Sequence, residues 1–91
     1  MLYCVIYDIK DAKDSAKEEA FLKQLKEFGE TNQFISNCWF LDSSKDKDEI
    51  YEELKSKLDA PDLLFIAETR LTQMSGWLPN TSIEWLKVHP E

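Results

Sequence analysis

The sequence predicts an α+β fold in the order β-α-β-β-α-β, closed by a short helical appendage. Three observations lead there. Residues 2–7 and 63–67 are apolar, aromatic or thiol at every position, the pattern of strands buried on both faces. Two intervening segments repeat apolar residues at helical spacing. Each helix joins strands that run parallel, so the right-handed crossover rule puts both helices on one face of the sheet. That is the ferredoxin-like split βαβ arrangement.

The elements follow in order. Residues 2–7 form the first strand, and Asp8 sits where that strand surfaces. Residues 10–14 read as a polar loop. Ser15 and Glu18 have capping-box spacing and start the first helix. Phe21, Leu22, Leu25 and Phe28 make its apolar stripe, and Gly29 just beyond is expected to cap its C-terminus. Phe34-Ile35 and Cys38-Trp39-Phe40-Leu41 are short strand-like pieces around the turn-prone Ser36-Asn37. They read either as a tight hairpin or as one strand with a bulge.

Asp46 and Glu49 repeat the capping spacing before the second helix. Its stripe is Ile50, Leu54 and Leu58, with Tyr51 alongside, and Asp59-Ala60-Pro61 ends it. Residues 63–67 form the last strand, carried to the surface by Glu68, Thr69 and Arg70. Gly76-Trp77-Leu78-Pro79 reads as an apolar turn. Asn80 or Thr81 caps a final helix bearing Ile83, Trp85, Leu86 and Val88.

The uncovered side of the sheet is the main physical clue. A sheet with one solvated face alternates apolar and polar residues. Here Leu2, Cys4 and Ile6 point one way and Tyr3, Val5 and Tyr7 the other, with no polar face. The second face therefore needs a cover: the C-terminal segment with Trp77, Trp85 and Leu86, a second subunit, or both. A homodimer suits a small domain with little core.

Length and composition bound the rest. The 91 residues make one domain, 1–91. Asp and Glu number 18 against 11 Lys and Arg, for a formal charge of -7, and Arg70 is the only arginine. That balance argues against a large nucleic-acid footprint, which needs clustered cations and bidentate arginine, and against anionic membranes. Cys4 and Cys38 lie in apolar runs without metal-ligand spacing and are expected to be buried free thiols. No run approaches the ~18 apolar residues of a membrane span. No signal-type start is present, so the expected location is cytoplasmic.

Several of these residues resemble known families. Tyr7-Asp8-Ile9 after an apolar first strand, Phe28-Gly29 closing a helix, and the Cys38-Trp39-Phe40 strand resemble the small CRISPR-associated ferredoxin-like protein. That family is a dimeric partner of the spacer integrase and is also described as an endoribonuclease. The virulence-associated D-type toxins share the plan. Across the whole chain, the sequence is similar to short bacterial proteins labelled "SinR family". These share the Y-D-(I/L) strand end, a mid-chain tryptophan strand and a G-W-L…W-L-K-x-H tail, here Gly76-Trp77-Leu78 and Trp85-Leu86-Lys87-Val88-His89. No helix-turn-helix is visible, so the label does not imply transcription-factor function.

The resemblance implies that Asp8 is a catalytic and metal-linked residue, facing its symmetry mate across a dimer. One carboxylate is a poor site. Two about a twofold axis would hold Mg²⁺ or Mn²⁺, with water and phosphate completing the shell. The chain departs from the family pattern in two places. The family's basic helix start is replaced by Asp11, Lys13, Asp14, Lys17, Glu18 and Glu19, and its serine before the third strand by Asn37.

Other chemistry is thin. His89 is the only histidine and is expected on the surface of a fraying tail. Lys10, Lys13 and Lys17 approach a basic strip near Asp8, but Asp11, Asp14 and Glu18 intersperse them and predict a self-paired face. Trp39, Trp77 and Trp85, without surrounding arginine, read as core or interface anchors rather than base-stacking platforms. The leading expectation is a homodimeric assembly or interaction module, non-catalytic, with a protein partner and weak nucleic-acid binding. The alternative is a metal-dependent endoribonuclease using paired Asp8 carboxylates.

Overall fold

Seven β1 residues, Leu2–Asp8, run through the middle of one four-stranded sheet. The computed structural model describes residues 1–10 and 15–91, the side chain of Ser15 excepted. Asp11, Lys13 and Asp14 of the expected basic strip lie outside the described residues, as does the Ser15 side chain on which the first capping box depends. After β1 come α1 (Ser15–Glu27), β2 (Gly29–Ile35), β3 (Cys38–Ser43), α2 (Lys47–Lys55), β4 (Leu63–Thr69), a 3-10 turn (Leu71–Gln73) and α3 (Asn80–Val88). The strand order is β2-β3-β1-β4, and every neighbouring pair is antiparallel. This is the ferredoxin-like topology with a short C-terminal helix.

The first face of the sheet is closed by α1 and α2. Phe21, Leu25 and Phe28 from α1 and its end meet Ile50 and Leu54 from α2 over Tyr3, Val5, Tyr7, Trp39 and Leu41. Each fully buried side chain of this size contributes about 1.5–3 kcal/mol of transfer free energy. The Tyr3 hydroxyl donates to the Lys45 carbonyl at 2.6 Å, so the buried phenol is satisfied.

The second face is closed over only part of its length. Leu2, Phe40 and Leu86 form a second cluster, flanked by Phe34, Leu71, Met74, Leu78 and Trp85. Four rings run in a ladder from sheet to tail. Phe34 stacks on Phe40 with centroids 4.2 Å apart, Phe40 on Trp85 at 6.3 Å, and Trp85 on His89 at 4.2 Å.

Several expectations are corrected here. Gly29 does not cap α1; it opens β2 and has no positive φ. A Cβ at this position would sit 2.0 Å from the Asp42 carbonyl oxygen, so glycine permits the close approach of β2 to β3. Ser36 and Asn37 do make a tight turn, with Asn37 at φ 65°. A register shift between Gln33 and Ile35 adds a bulge, so hairpin and bulge coexist. Asp46 stands at the α2 N-cap without a side-chain cap hydrogen bond, and Glu49 pairs with Lys45 at 2.6 Å, so the expected capping box does not form. Neither Asn80 nor Thr81 caps α3. Pro79 holds that place, and its carbonyl accepts from the Ser82 and Ile83 amides.

Trp77 is not buried. It is 100% exposed, because Leu78 and Met74 take the seats on the sheet and leave residue 77 at the outside of the turn. Cys4 and Cys38 are free but half-buried on the incompletely covered face.

Candidate functional site

Asp8 ends β1 opposite Leu63 of β4. Its carboxylate is half-exposed and pairs with the Lys10 ammonium. Among the described residues, no group of three or more His, Cys, Asp or Glu side chains could hold a metal ion. Within one chain, Asp8 supplies a single carboxylate with a cation already beside it.

Below Asp8 lies a latch that the sequence reading missed. Asp62 Oδ1 accepts the Lys10 backbone N–H at 2.9 Å. Asp62 Oδ2 accepts the Asp59 N–H at 2.9 Å and the Lys17 ammonium at 2.8 Å. Lys17 also bonds Asp59 at 2.7 Å. The Asp59 amide, then the Lys17 ammonium and the Lys10 amide, hold the Asp62 carboxyl at about 2, well below its ordinary 3.8. The hydrogen bonds that Lys17 donates to Asp59 and Asp62 push its ammonium up in turn. The latch ties the loop after β1 to the loop before β4. It commits Lys17 to carboxylates in place of a bound phosphate. Its signal was the D-x-x-D spacing of Asp59 and Asp62 around Pro61, a local turn pattern whose distant partners lie elsewhere in the chain.

Next to Asp8 the second face is bare. Ile35 pairs with Cys38, Cys38 with Ile6, and Ile6 with Phe65, so one row of register partners crosses all four strands. Ile35 is 56% exposed, Ile6 40% and Phe65 59%, with Leu63 beside them at 58%. Isolated exposed apolar residues are ordinary, but these form a contiguous row across the sheet face.

Between this row and the C-terminal segment the second face opens into a cleft of about 540 Å³. Cys4 and Phe40 lie at its base on the sheet, and Leu71, Met74, Leu78 and Leu86 wall it. Burial, and then the neighbouring Cys38, push the Cys4 thiol above its ordinary pKa, which disfavours the thiolate needed of a nucleophile.

His89 is not in a fraying tail. Its Nδ1 lies 2.6 Å from Asp42 Oδ2, its ring stacks on Trp85, and the Pro90 carbonyl accepts the Leu71 N–H at 2.7 Å. The N-terminal ammonium lies 3.6 Å from Asp42 Oδ1 and donates to the Ser43 carbonyl at 2.8 Å. Asp42 thus joins both ends of the chain to β3. Asp42 is 47 positions from His89, so nothing local to the tail signals the pair.

No protein-family model matches the chain. No curated protein sequence matches it either. Among solved structures, a hypothetical protein, TT1823, from Thermus thermophilus superposes with a TM-score of 0.58 at 23% sequence identity. The similarity covers 86% of this chain and 93% of that one, so it extends over most of both. At that identity the likeness shows the ferredoxin-like fold, and the fold alone does not carry a function.

Proposed function

We propose that this protein is a ferredoxin-like interaction module that assembles as a homodimer through the uncovered row of its sheet. The observation that carries the reading is the continuous apolar row of Ile35, Cys38, Ile6 and Phe65, with Leu63 at its end. Leaving that row in water forfeits the burial on which a small core depends. A second copy presents the same row, and a twofold axis pairs a patch with itself. The acidic charge of -7 lies elsewhere than on this row, which contains no charged side chain.

The reading of Asp8 as a paired metal-binding and catalytic residue of an endoribonuclease, with Mg²⁺ or Mn²⁺, has less support. Asp8 is engaged by Lys10, and Lys17 by Asp59 and Asp62. Both arrangements favour a module without phosphate chemistry.

The test is the mass in solution. Light scattering at micromolar concentration is expected to give about twice the 10.7 kDa chain mass. Phe65→Asp places a charge in the row on an edge strand and is expected to give the monomer with the fold retained. A parent chain that is monomeric throughout that range overturns the reading.

A further inference from the structure

We infer that Trp77 is a reciprocal anchor: in the homodimer each copy's Trp77 seats in the apolar cleft of the other. The inference rests on the homodimer reading and adds to it a named knob, a named hole and the residue that decides affinity.

Trp77 is fully exposed, although burying a tryptophan removes ~150–250 Å² of surface from water. It does not enter its own chain's cleft. Its neighbours Gly76 and Leu78 both line that cleft, so Trp77 stands at the lip, outside the hole and in solvent. The hole suits an indole. It measures about 540 Å³ and is walled mainly by apolar side chains, including Phe34 and Phe40. Thr69 and Ser75 are its hydroxyl-bearing residues, and a buried indole N–H requires an acceptor of that kind.

Knob and hole on one chain are what a twofold interface needs, because residue i of each copy then meets residue j of the other. The position is consistent with the sheet row. Cys4 and Phe40 at the base of the cleft lie two residues along β1 and β3 from Ile6 and Cys38, on the same face. One interface therefore spans both. The area is also consistent: two seated tryptophans supply roughly 400 Å² of the about 1,600 Å² of a standard interface. The exposed rows and their rims are left to provide the remainder.

The experiment compares the parent chain with Trp77→Ala and Phe65→Asp. Dimer dissociation is followed by light scattering, and alkylation of Cys4 is followed by peptide mass mapping, which separates it from Cys38. Trp77 is fully exposed, so Trp77→Ala should melt like the parent in dilute solution. The expected result is a dimer dissociation constant at least about 100-fold higher in Trp77→Ala, since two anchors are lost per dimer. Cys4 should react about tenfold more slowly in the paired parent than in either variant, because the partner's indole covers it.

If Phe65→Asp is monomeric while Trp77→Ala still pairs like the parent, the sheet-row dimer stands and the anchor is overturned. If Trp77→Ala loses pairing but Cys4 protection is unchanged, Trp77 seats elsewhere and the inference fails. Equal protection of Cys4 in dilute, monomeric parent would mean that Trp77 folds into its own cleft, which also overturns the exchange. A parent that never pairs removes both readings.

Discussion

The Asp62 carboxylate accepts hydrogen bonds from three donors that come from two separate parts of the chain. A neutral amide at this position keeps the shape and loses the charge that favours all three. Because the folded carboxyl titrates at about 2 and the ordinary value is 3.8, the charged group stabilises the fold above pH 3.8. That contribution fades as pH falls through about 2. The Lys17 partner has the opposite sense. Its folded pKa is raised, so its contribution is present below its ordinary 10.5 and is lost only as pH rises beyond that.

Asp62→Asn is therefore expected to lower the melting temperature by several degrees at neutral pH. The gap to the parent should narrow towards pH 2. Thermal melts from pH 7 downward test this, and a gap that stays constant with pH would show that the carboxylate charge is not the stabilising group. Asp8 was legible from sequence because a strand-end carboxylate announces itself locally. Asp62 and the Asp42–His89 pair were not, because their partners are 45 and 47 positions distant and no periodicity reports such pairing.

At the scale of elements, β1 and β4 were readable from their continuous apolar runs, and α1 and α2 from their stripes. The first half of β2 was not. Glu30, Thr31, Asn32 and Gln33 are polar, and β2 is an edge strand whose outer side meets no further strand. Edge position removes the apolar alternation that marks a half-buried strand. For the same reason Gly29 looked like a helix cap when it is the close-approach point of two strands. The contact is steric, and the obstructing atom is a backbone oxygen that no rotamer change can move. Gly29→Ala is expected to cost about 2–3 kcal/mol or more, through displacement of β2 from Asp42. Chemical denaturation of the purified variant measures the loss. Gly76→Ala is the control, since a Cβ there meets only Leu78 side-chain carbons, the nearer at an ordinary 3.7 Å. Equal stability of the two variants would contradict the steric role of Gly29.

For the whole molecule, the decisive quantity is how the charge is spent. The chain carries 18 acidic against 11 basic residues, and six of the basic ones lie against carboxylates. Lys10 pairs with Asp8, Lys17 with Asp59 and Asp62, Lys45 with Glu49, Lys47 with Asp48, Lys87 with Glu84, and Arg70 lies 3.9 Å from Glu91. Apart from the buried Lys17–Asp62 contact, these pairs are exposed and add little stability. They do lower the free positive potential on which phosphate binding and its salt dependence rest. Duplex DNA is therefore expected to elute unretained from the immobilised protein at physiological salt. Single-stranded RNA is expected to stay intact with Mg²⁺ or Mn²⁺, and equally intact with chelator. The same outcome is expected for Asp8→Ala.

The opposing force is the twofold axis of the proposed dimer, which would place a second Asp8 in the assembly and create a cation site that a single chain lacks. The two possibilities separate cleanly. Metal-dependent RNA cleavage that Asp8→Ala abolishes and Asp11→Ala leaves intact would replace the interaction module with the nuclease. Metal binding measured by calorimetry, lost in Asp8→Ala and unaccompanied by cleavage, would instead make the ion part of the interface. In that case Phe65→Asp, by separating the copies, should abolish the metal binding as completely as removing Asp8 itself.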